Sequence, residues 1–208
     1  PGSIRSCLEA LGDQVESVSG PLDCTVAAAT NDSRKAAPGG LFVAVPGAKE
    51  DGTAYVPDAL QRGAQVIVTT RPIPLPDRVT GVVVRDAYAV MGRIAEWNAG
   101  YPARRLHLLG VTGTNGKTTC AYLLRAILKE TGAPTGMVGT VAYDLGDREV
   151  PADRTTPTPF ELQELLSELV RNGARWAVLE VSSHALDQRR LGTARFEGGL
   201  FTNLSGDH

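Results

Sequence analysis

The sequence has few cysteines and histidines and no long hydrophobic run. Its three cysteines, Cys7, Cys24 and Cys120, are odd in number and share no spacing typical of metal ligands. We therefore expect reduced, structural thiols of the kind found in the cytoplasm. There is no apolar run long enough for a membrane span, and no charged leader followed by an apolar stretch, so the sequence predicts neither a membrane anchor nor a secretion signal.

No charge of one sign dominates. Lys and Arg number 21 against 23 Asp and Glu, the formal net charge is −2, and both signs are scattered along the chain. This balance gives no indication of nucleic acid or an anionic membrane as a partner. The 208 residues suffice for one large domain or two small ones. The chain begins without Met and ends just after an apolar run, which we interpret as part of a longer protein.

The stretch Thr112-Gly-Thr-Asn-Gly-Lys-Thr-Thr119 is the most informative feature present. It lies between an apolar run at 106–111, predicted to be a buried strand, and a helical pattern at 121–130. A strand, a glycine-rich turn and a helix form a cradle for phosphate, in which backbone amides and the helix N-terminus face the anion. Val111 stands where the usual phosphate-loop pattern has glycine. The predicted nucleotide-binding residues are Gly113, Thr114, Asn115, Gly116, Lys117, Thr118 and Thr119.

Two halves are predicted, residues 1–101 and residues 102–208, separated at Gly100-Tyr101-Pro102. The first half reads as a small α/β unit, with strands at 41–45, 65–69 and 81–84 and helices at 55–62 and 87–99. In the second half strands alternate with helices, which predicts a parallel sheet. After the phosphate loop we expect strands at 135–142, 176–181 and 199–203, and a helix from the Thr158 capping box to residue 171.

A carboxylate, Glu180, ends the apolar run at 176–180 within the strand predicted at 176–181. In open α/β sheets, ligands bind at the carboxyl ends of the strands. The Thr118 hydroxyl of the phosphate loop can coordinate Mg²⁺, and Glu180 is predicted to bind the same ion. The following Ser182-Ser183-His184 does not predict a hydrolase, because no G-x-S-x-G turn is present. Asp207-His208 follows another predicted strand and is a weaker candidate for a second metal ligand.

Several of these motifs resemble the Mur ligases, ATP-dependent amide-forming enzymes of peptidoglycan synthesis. The loop at 110–119 is similar to the nucleotide loop of that family, including its departure from the usual pattern. Residues 31–34, 40–47 and 51–52 resemble the N-terminal domain that grips the UDP end of the substrate. Glu180-Val-Ser-Ser-His-Ala-Leu186, with Gln188 and Arg190, resembles the member that extends UDP-N-acetylmuramoyl-dipeptide, and residues 202–208 resemble the start of a longer family motif.

The resemblance implies specific roles. The fold would be α/β, with a small UDP-binding N-terminal domain followed by part of a phosphate-loop ATPase domain. Lys117, Glu180 and His208 would be catalytic, and Thr118, Glu180 and His208 would hold Mg²⁺. Contacts at Ala48-Lys49-Glu50 are left open, because some members carry His-Gln-Ala there. The residues implied to contact the UDP-muramoyl-dipeptide are Ser33, Thr155, Thr156, Ser182, Gln188 and Arg190.

The implied chemistry is amide formation through an acyl phosphate. ATP phosphorylates the free carboxylate of the dipeptide's D-Glu, and the amine of a diamino acid then displaces phosphate. We expect ATP and Mg²⁺ as cofactors, small-molecule substrates, a monomer and a cytoplasmic location. Whether diaminopimelate, lysine or ornithine is added is left open by the sequence.

Other functions are less favoured by the sequence. Another Mur-type ligase or a folylpolyglutamate synthetase is the nearest alternative, although the folate enzymes lack the N-terminal pattern at 41–52. A non-catalytic nucleotide-binding subunit is disfavoured by the intact Lys117, Thr118 and Glu180. A phosphate-loop ATPase that drives motion is a further alternative, for which no arginine finger can be identified.

Overall fold

A computed structural model describes residues 2–46 and 51–205. The chain divides into two compact units, Pro1–Asn98 and Ala99–His208. The sequence places this boundary at residue 101, within the same short connection. None of the helices in the described residues combines the length and the apolar character needed to cross a membrane.

The first unit is built on a five-stranded sheet whose order is β2-β7-β6-β5-β4. β4 to β7 are parallel to one another, and β2 pairs antiparallel with β7 at one edge. A separate pair of short strands, β1 and β3, lies outside this sheet. The elements in chain order are β1 (Gly2–Ser3), α1 (Ile4–Leu11), β2 (Val15–Ser19), β3 (Thr25–Val26), β4 (Ala29–Thr30), β5 (Leu41–Val43), α2 (Val56–Gln61), β6 (Val66–Thr69), β7 (Thr80–Val84) and α3 (Ala87–Asn98).

Burial explains why these segments form strands and helices. β5 and β6 are apolar and fully buried, as expected for central strands covered on both faces. α1 buries Ile4, Cys7 and Leu11, one face of a helix, and its Ser3 side chain caps the N-terminus by accepting from the Ser6 amide. The sequence analysis predicted β5, β6, β7, α2 and α3 but none of the elements before residue 41. Three of the four strands missed there are only two residues long, and the missed helix α1 has eight residues.

The second unit is built on a six-stranded sheet whose order is β11-β10-β9-β12-β8-β13. β9, β12, β8 and β13 are parallel, with β12 between β9 and β8. This arrangement brings the carboxyl ends of four strands to one edge of the sheet. The elements in chain order are β8 (His107–Thr112), α4 (Lys117–Glu130), β9 (Thr135–Val138), β10 (Ala142–Asp144), β11 (Glu149–Pro151), α5 (Pro159–Arg171), β12 (Trp176–Glu180), α6 (Ser183–Asp187) and β13 (Gly198–Phe201).

The prediction of a single strand at 135–142 is wrong. The chain leaves β9 after Val138, turns at Gly139 and Thr140, and returns as β10, which pairs antiparallel with β9. The turn packs closely against the next strand: a Cβ on Gly139 would lie 2.3 Å from Oε1 of Glu180. The sheet is therefore mixed rather than wholly parallel, and the reversal places Thr140 beside Glu180.

Two helices cover the sheet through small and aliphatic side chains. The capping box at Thr158 begins α5, as predicted, and the helix buries Leu162, Leu166 and Leu169 in the main cluster. α4 packs through Ala121, with Leu124 and Leu128 partly buried beside it. The other two apolar residues of the predicted helical pattern, Leu123 and Ile127, are 58% and 60% exposed, so the apolar surface of α4 is wider than its packed face.

A buried carboxylate ties α4 to the β10–β11 hairpin. Asp144 is 2% exposed and pairs with Arg125 and with Lys129, whose Nζ lies 2.9 Å from Oδ2. Burial raises the pKa of Asp144, but hydrogen bonds from Lys129 and the Gly146 amide and the charge of Arg125 together lower it below its ordinary value. α4 carries the phosphate loop at its N-terminus, so this cluster anchors the far end of the helix that forms the site.

Replacing Asp144 should destabilise the chain and change its acid response. Because the folded-state pKa is the lower one, the charged form contributes stability above about pH 4 that is lost as the pH falls through the folded-state value. We expect Asp144→Asn to lower the free energy of unfolding at pH 7 by about 2 kcal/mol, since it removes the buried partner of Lys129 and Arg125, of which Arg125 keeps its ion pair with Glu149. It should also flatten the decline in stability below about pH 4.

Urea unfolding of the two proteins between pH 7 and pH 3 measures both effects. Asp153→Asn, at an exposed carboxylate of the same unit, is the matched control. A variant as stable as the original chain at pH 7 would show that the Asp144 cluster does not hold α4.

Candidate nucleotide and metal site

The predicted phosphate loop has the backbone geometry that anion binding requires. It connects β8 to α4, and its glycines Gly113 and Gly116 have φ values of 130° and 83°, which other residues rarely adopt. Gly116 is the N-cap of α4, and no side chain caps the helix there. The first-turn amides of a helix have no intrahelical partner, so the N-terminus of this 14-residue helix presents free donors and a partial positive charge.

Two residues of the loop, Thr114 and Asn115, form hydrogen bonds with the segment that follows β13. The Thr114 amide donates to the Asn203 carbonyl at 2.9 Å, and the Asn115 amide donates to Asn203 Oδ1 at 3.1 Å. Asn203 Nδ2 donates to the Asn115 carbonyl at 3.0 Å, and Thr202 Oγ1 donates to the same carbonyl at 2.6 Å. In this conformation the amides of Thr114 and Asn115 bind Asn203, although the sequence predicts that they face phosphate.

Lys117 lies over the loop. Its Nζ donates to the carbonyls of Gly113 at 2.8 Å and Thr114 at 2.9 Å. The side chain of Lys117, the first residue of α4, therefore folds back over the loop and places its positive charge there. This is the position from which a lysine can contact the outer phosphates of a nucleotide.

Thr118 and Glu180, predicted to share a metal, are in direct contact. Thr118 Oγ1 donates to Glu180 Oε2 at 2.9 Å. The contact arises from the register of the sheet: Glu180 ends β12 opposite Val111 of β8, and the loop and Thr118 follow β8. Residues 62 positions apart in sequence thus meet at the carboxyl edge of the sheet.

Glu180 is a buried carboxylate whose hydrogen-bond partners within the described residues are all neutral. The residue is 1% exposed, and none of the ion pairs formed by residues 2–46 and 51–205 involves it. Its carboxylate accepts from Thr118 Oγ1, from the Thr140 amide at 3.0 Å and from Thr140 Oγ1 at 2.9 Å. Neutral donors alone leave the buried negative charge uncompensated, which favours binding of a cation.

The donor set suits Mg²⁺. A carboxylate oxygen and a hydroxyl oxygen are hard ligands, and Mg²⁺ usually takes only one or two protein groups, with water and phosphate oxygens completing its shell. No cluster of three or more His, Cys, Asp or Glu side chains within the described parts of the chain could hold a metal by itself. The residues present therefore fit a metal that arrives with a nucleotide better than a permanently bound one.

Four predicted substrate residues form a hydrogen-bond network that is linked to the backbone of Glu180 through Thr156. Thr156 Oγ1 donates to the Glu180 carbonyl at 2.8 Å and accepts from the Ser182 amide at 3.1 Å. Arg190 Nη1 donates to the Thr156 carbonyl at 2.7 Å, and its Nε and Nη2 donate to Gln188 Oε1 at 3.0 and 2.8 Å. The structure thus brings Thr156, Ser182, Gln188 and Arg190 into one network with Glu180.

Thr155 joins the same network through a residue that sequence reasoning missed. Its Oγ1 lies 3.1 Å from Oγ1 of Thr140, which in turn contacts Glu180. Thr140 was placed inside a strand by the sequence, and therefore was not considered as a site residue. The Gly139-Thr140 pair, at the end of a strand that runs toward the predicted site, is the sequence signal that could have identified it.

The remaining predicted substrate residue, Ser33, lies in the first unit. It is 6% exposed and begins a short 3₁₀ helix, Ser33–Lys35, directly after β4. Its hydroxyl bonds to Asp58 of α2, and this bond is the main factor that lowers the pKa of Asp58. Asp32 caps the 3₁₀ helix and pairs with Arg34 through two hydrogen bonds of 2.9 and 2.8 Å.

Some of the predicted site falls outside the described residues. His208, the candidate second metal ligand, and Asp207 beside it belong to this group. So do Gly47 and the Ala48-Lys49-Glu50 segment. Their assigned roles stay predictions.

Comparison with known proteins identifies the family to which both units belong. The Mur ligase family, catalytic domain, matches residues 25–108, and the Mur ligase middle domain matches residues 111–208. The UDP-N-acetylmuramoyl-L-alanyl-D-glutamate–2,6-diaminopimelate ligase of Caldanaerobacter subterraneus subsp. tengcongensis is 46% identical over 177 residues, which are 85% of this chain and 37% of that protein. The Clostridium perfringens ligase of the same name is 37% identical over 205 residues, which are 99% of this chain and 42% of that protein.

Solved structures give the same result. A structure of a UDP-N-acetylmuramoyl-L-alanyl-D-glutamate–2,6-diaminopimelate ligase superposes with a TM-score of 0.77 and 26% identity, covering 97% of this chain and 40% of that one. The MurF ligase of Thermotoga maritima in complex with ADP superposes with a TM-score of 0.50 and 25% identity, covering 75% of this chain and 32% of that one. The chain spans about two fifths of the length of the curated relatives named above. Both domain matches, the sequence identities and the shared fold lead to one conclusion: this chain belongs to the Mur ligase family.

Proposed function

We propose that the whole protein carrying this chain is the ATP-dependent ligase that adds 2,6-diaminopimelate to UDP-N-acetylmuramoyl-L-Ala-D-Glu. The structural observation that supports this most strongly is the 2.9 Å contact of Thr118, next to the phosphate loop, with the buried Glu180 carboxylate, whose described partners are neutral. The names of the relatives supply the choice of amino acid, which the sequence left open. We also propose that the protein acts as a monomer in the cytoplasm, where ATP and UDP-linked precursors are available.

ATP would bind with its phosphates between the loop and the N-terminus of α4. The helix N-terminus and the Lys117 ammonium group would then face the phosphate oxygens. Thr118 and Glu180 would hold Mg²⁺, which when bound neutralises charge on the transferring phosphoryl group. Support for an adenine nucleotide as the ligand comes from the related MurF ligase of Thermotoga maritima, whose structure is a complex with ADP.

The dipeptide would approach from the side of Thr155, Thr156 and Ser182. Arg190 is a cation of this group, and Gln188 accepts two hydrogen bonds from its guanidinium. A guanidinium group held in this way can orient a carboxylate or phosphate of the substrate. No protein nucleophile is required, because the carboxylate of the substrate attacks ATP and the amine of the incoming amino acid attacks the acyl phosphate. Positioning of the two reactants accounts for much of such catalysis.

The proposal is tested by product analysis with the full-length protein. Incubation with Mg²⁺-ATP, UDP-N-acetylmuramoyl-L-Ala-D-Glu and one amino acid should give one equivalent each of ADP, phosphate and UDP-tripeptide with diaminopimelate. Lysine and ornithine, offered separately, should give much less product. Mass spectrometry of the nucleotide products decides the matter. ATP hydrolysis without amide formation would contradict the proposal, and preference for another diamino acid would correct its last step.

A second expectation concerns the ligand of the first unit. The Ser33 region follows a parallel strand at the carboxyl edge of its sheet, where ligands of α/β folds bind. Titration of the isotopically labelled 208-residue chain with UDP should therefore shift the amide signals of Ser33 and Arg34. ADP with Mg²⁺ should instead shift signals of the phosphate loop. If ADP instead shifted the signals of Ser33 and UDP shifted those of the phosphate loop, the two nucleotide sites would have to be assigned to the opposite units.

A further inference from the structure

In the turn between β9 and β10, Thr140 contacts both Glu180 and Thr155. Thr140 donates its backbone N–H to Glu180 Oε1 at 3.0 Å and its hydroxyl to Oε2 at 2.9 Å, so one residue contacts both oxygens of the carboxylate. The third donor to Glu180 is Thr118, the other proposed metal ligand. If Thr118 Oγ1 coordinates a metal, its hydrogen bond to Glu180 is lost, whereas the two hydrogen bonds from Thr140 to Glu180 can remain.

The Thr140 hydroxyl has one proton and two polar neighbours. An ionised carboxylate can only accept, so the proton must point to Glu180 Oε2. Thr140 Oγ1 also lies 3.1 Å from Thr155 Oγ1. Thr140 therefore connects Thr155, a proposed substrate residue, with Glu180, a proposed metal ligand.

The turn packs closely against Glu180 and leaves no room for a side chain at residue 139. Gly139 packs against Glu180, and a Cβ there would lie 2.3 Å from Oε1 and 3.0 Å from Cδ. The carboxylate is thus confined between the backbone of the turn on one side and the Thr118 hydroxyl on the other. Thr140 itself is exposed, while Glu180 is buried, so Thr140 connects the buried carboxylate to the protein surface.

We propose that Thr140 is the positioning residue of this site, which orients the Glu180 carboxylate for the metal and connects it to Thr155. This inference rests on the proposed function, in that it assumes that Glu180 and Thr118 hold a divalent cation with the nucleotide. Residues that hold a metal ligand through hydrogen bonds, without touching the metal, commonly change metal affinity by about 10- to 100-fold when replaced. Thr140 fits that description through two hydrogen bonds.

The test uses Mn²⁺ as a probe, with free Mn²⁺ measured by electron paramagnetic resonance in the presence of saturating ADP. Thr140→Val has nearly the same shape and keeps the backbone donor but lacks the hydroxyl, and it should bind Mn²⁺ about tenfold more weakly than the original chain. Thr140→Ser keeps the hydroxyl and should recover most of the affinity. The matched control is Thr131→Val, which removes a hydroxyl that bonds to the Leu128 carbonyl at the end of α4.

The hydrogen-bond chain gives a second, independent readout. Thr155→Val should weaken Mn²⁺ binding when Thr140 is present and have no further effect in the Thr140→Val background, because the link to Glu180 is then already absent. Urea unfolding of every variant shows whether the fold is kept. A loss of affinity in Thr140→Ser equal to that in Thr140→Val would indicate a merely structural role and overturn the inference.

Two other outcomes are informative in different ways. Equal or tighter Mn²⁺ binding by Thr140→Val would mean that the hydroxyl does not orient Glu180 or that it competes with the metal, and the inference would be wrong. If the original chain itself binds no Mn²⁺ with ADP, the proposed metal site fails, and the inference about Thr140 fails with it. The two failures are thus distinguished by the behaviour of the unmodified chain.

Discussion

Glu180→Gln should abolish the Mg²⁺-dependent part of nucleotide binding while leaving the fold as stable as before or more stable. The carboxylate is buried and forms no ion pair with the residues that the structure describes, so the charge proposed to bind the metal costs free energy in the free chain. Glutamine keeps the size of the side chain and one acceptor oxygen but removes the charge. We expect Mg²⁺ to increase the ADP affinity of the original chain and to have almost no effect on that of the variant.

In the full-length enzyme the same change should reduce turnover by at least about 100-fold, since charge stabilisation of this kind contributes several kcal/mol to phosphoryl transfer. Binding of the UDP-dipeptide should change little. Calorimetry with and without Mg²⁺ and urea unfolding of the free chain test the two halves of the prediction. Glu164→Gln, at an exposed carboxylate of α5, is the matched control. A variant that retains the Mg²⁺ effect would show that Glu180 is a structural carboxylate at the end of β12.

Lys117→Ala should remove most of the affinity for ATP. The Nζ group is held over the loop by the carbonyls of Gly113 and Thr114, at 2.8 and 2.9 Å, and is thus positioned before the nucleotide arrives. Charge-assisted hydrogen bonds contribute about 1.5–3 kcal/mol each, so the loss should be roughly 10- to 150-fold. Because the lysine also bridges the loop carbonyls, the loop of the variant should become more mobile.

Calorimetric titration with Mg²⁺-ATP measures the affinity, and amide hydrogen exchange at Gly113 to Lys117 measures the mobility of the loop. The matched control is Arg171→Ala, which removes a positive charge from the exposed end of α5. An affinity within a factor of about two of the original, with the control unchanged, would remove Lys117 from the proposed site.

The sequence placed the candidate site residues best where they directly follow a recognisable strand. Thr112 to Thr119 connects the end of β8 to the start of α4, and β12 is apolar until its last residue, Glu180. Both groups could therefore be placed at the carboxyl edge of a parallel sheet. The contact of Thr118 with Glu180 then depends only on β8 and β12 being neighbours, which they are.

Elements that depend on close packing were not predictable in the same way. The turn at Gly139-Thr140 interrupts an apolar pattern that reads as one strand, because the requirement for glycine comes from Glu180, 41 residues further along the chain. The use of Asn203 to bind the phosphate loop also depends on a strand that is adjacent only in the folded sheet. Contacts of this kind join residues through tertiary structure and are not predicted by composition or periodicity, although Gly139 before Thr140 is a local signal compatible with a turn.

The central claim is that the phosphate loop and Glu180 form a single site for a metal-bound nucleotide. The most direct test is paramagnetic broadening of amide signals in the labelled chain on addition of ADP with Mn²⁺, compared with ADP and Mg²⁺. We predict that the signals of Lys117, Thr118 and Thr140 are lost, whereas that of Arg175, at the opposite end of β12 and roughly 15 Å away along the strand, persists. Persistence of the Thr118 and Thr140 signals, or stronger broadening at Arg175, would contradict the claim.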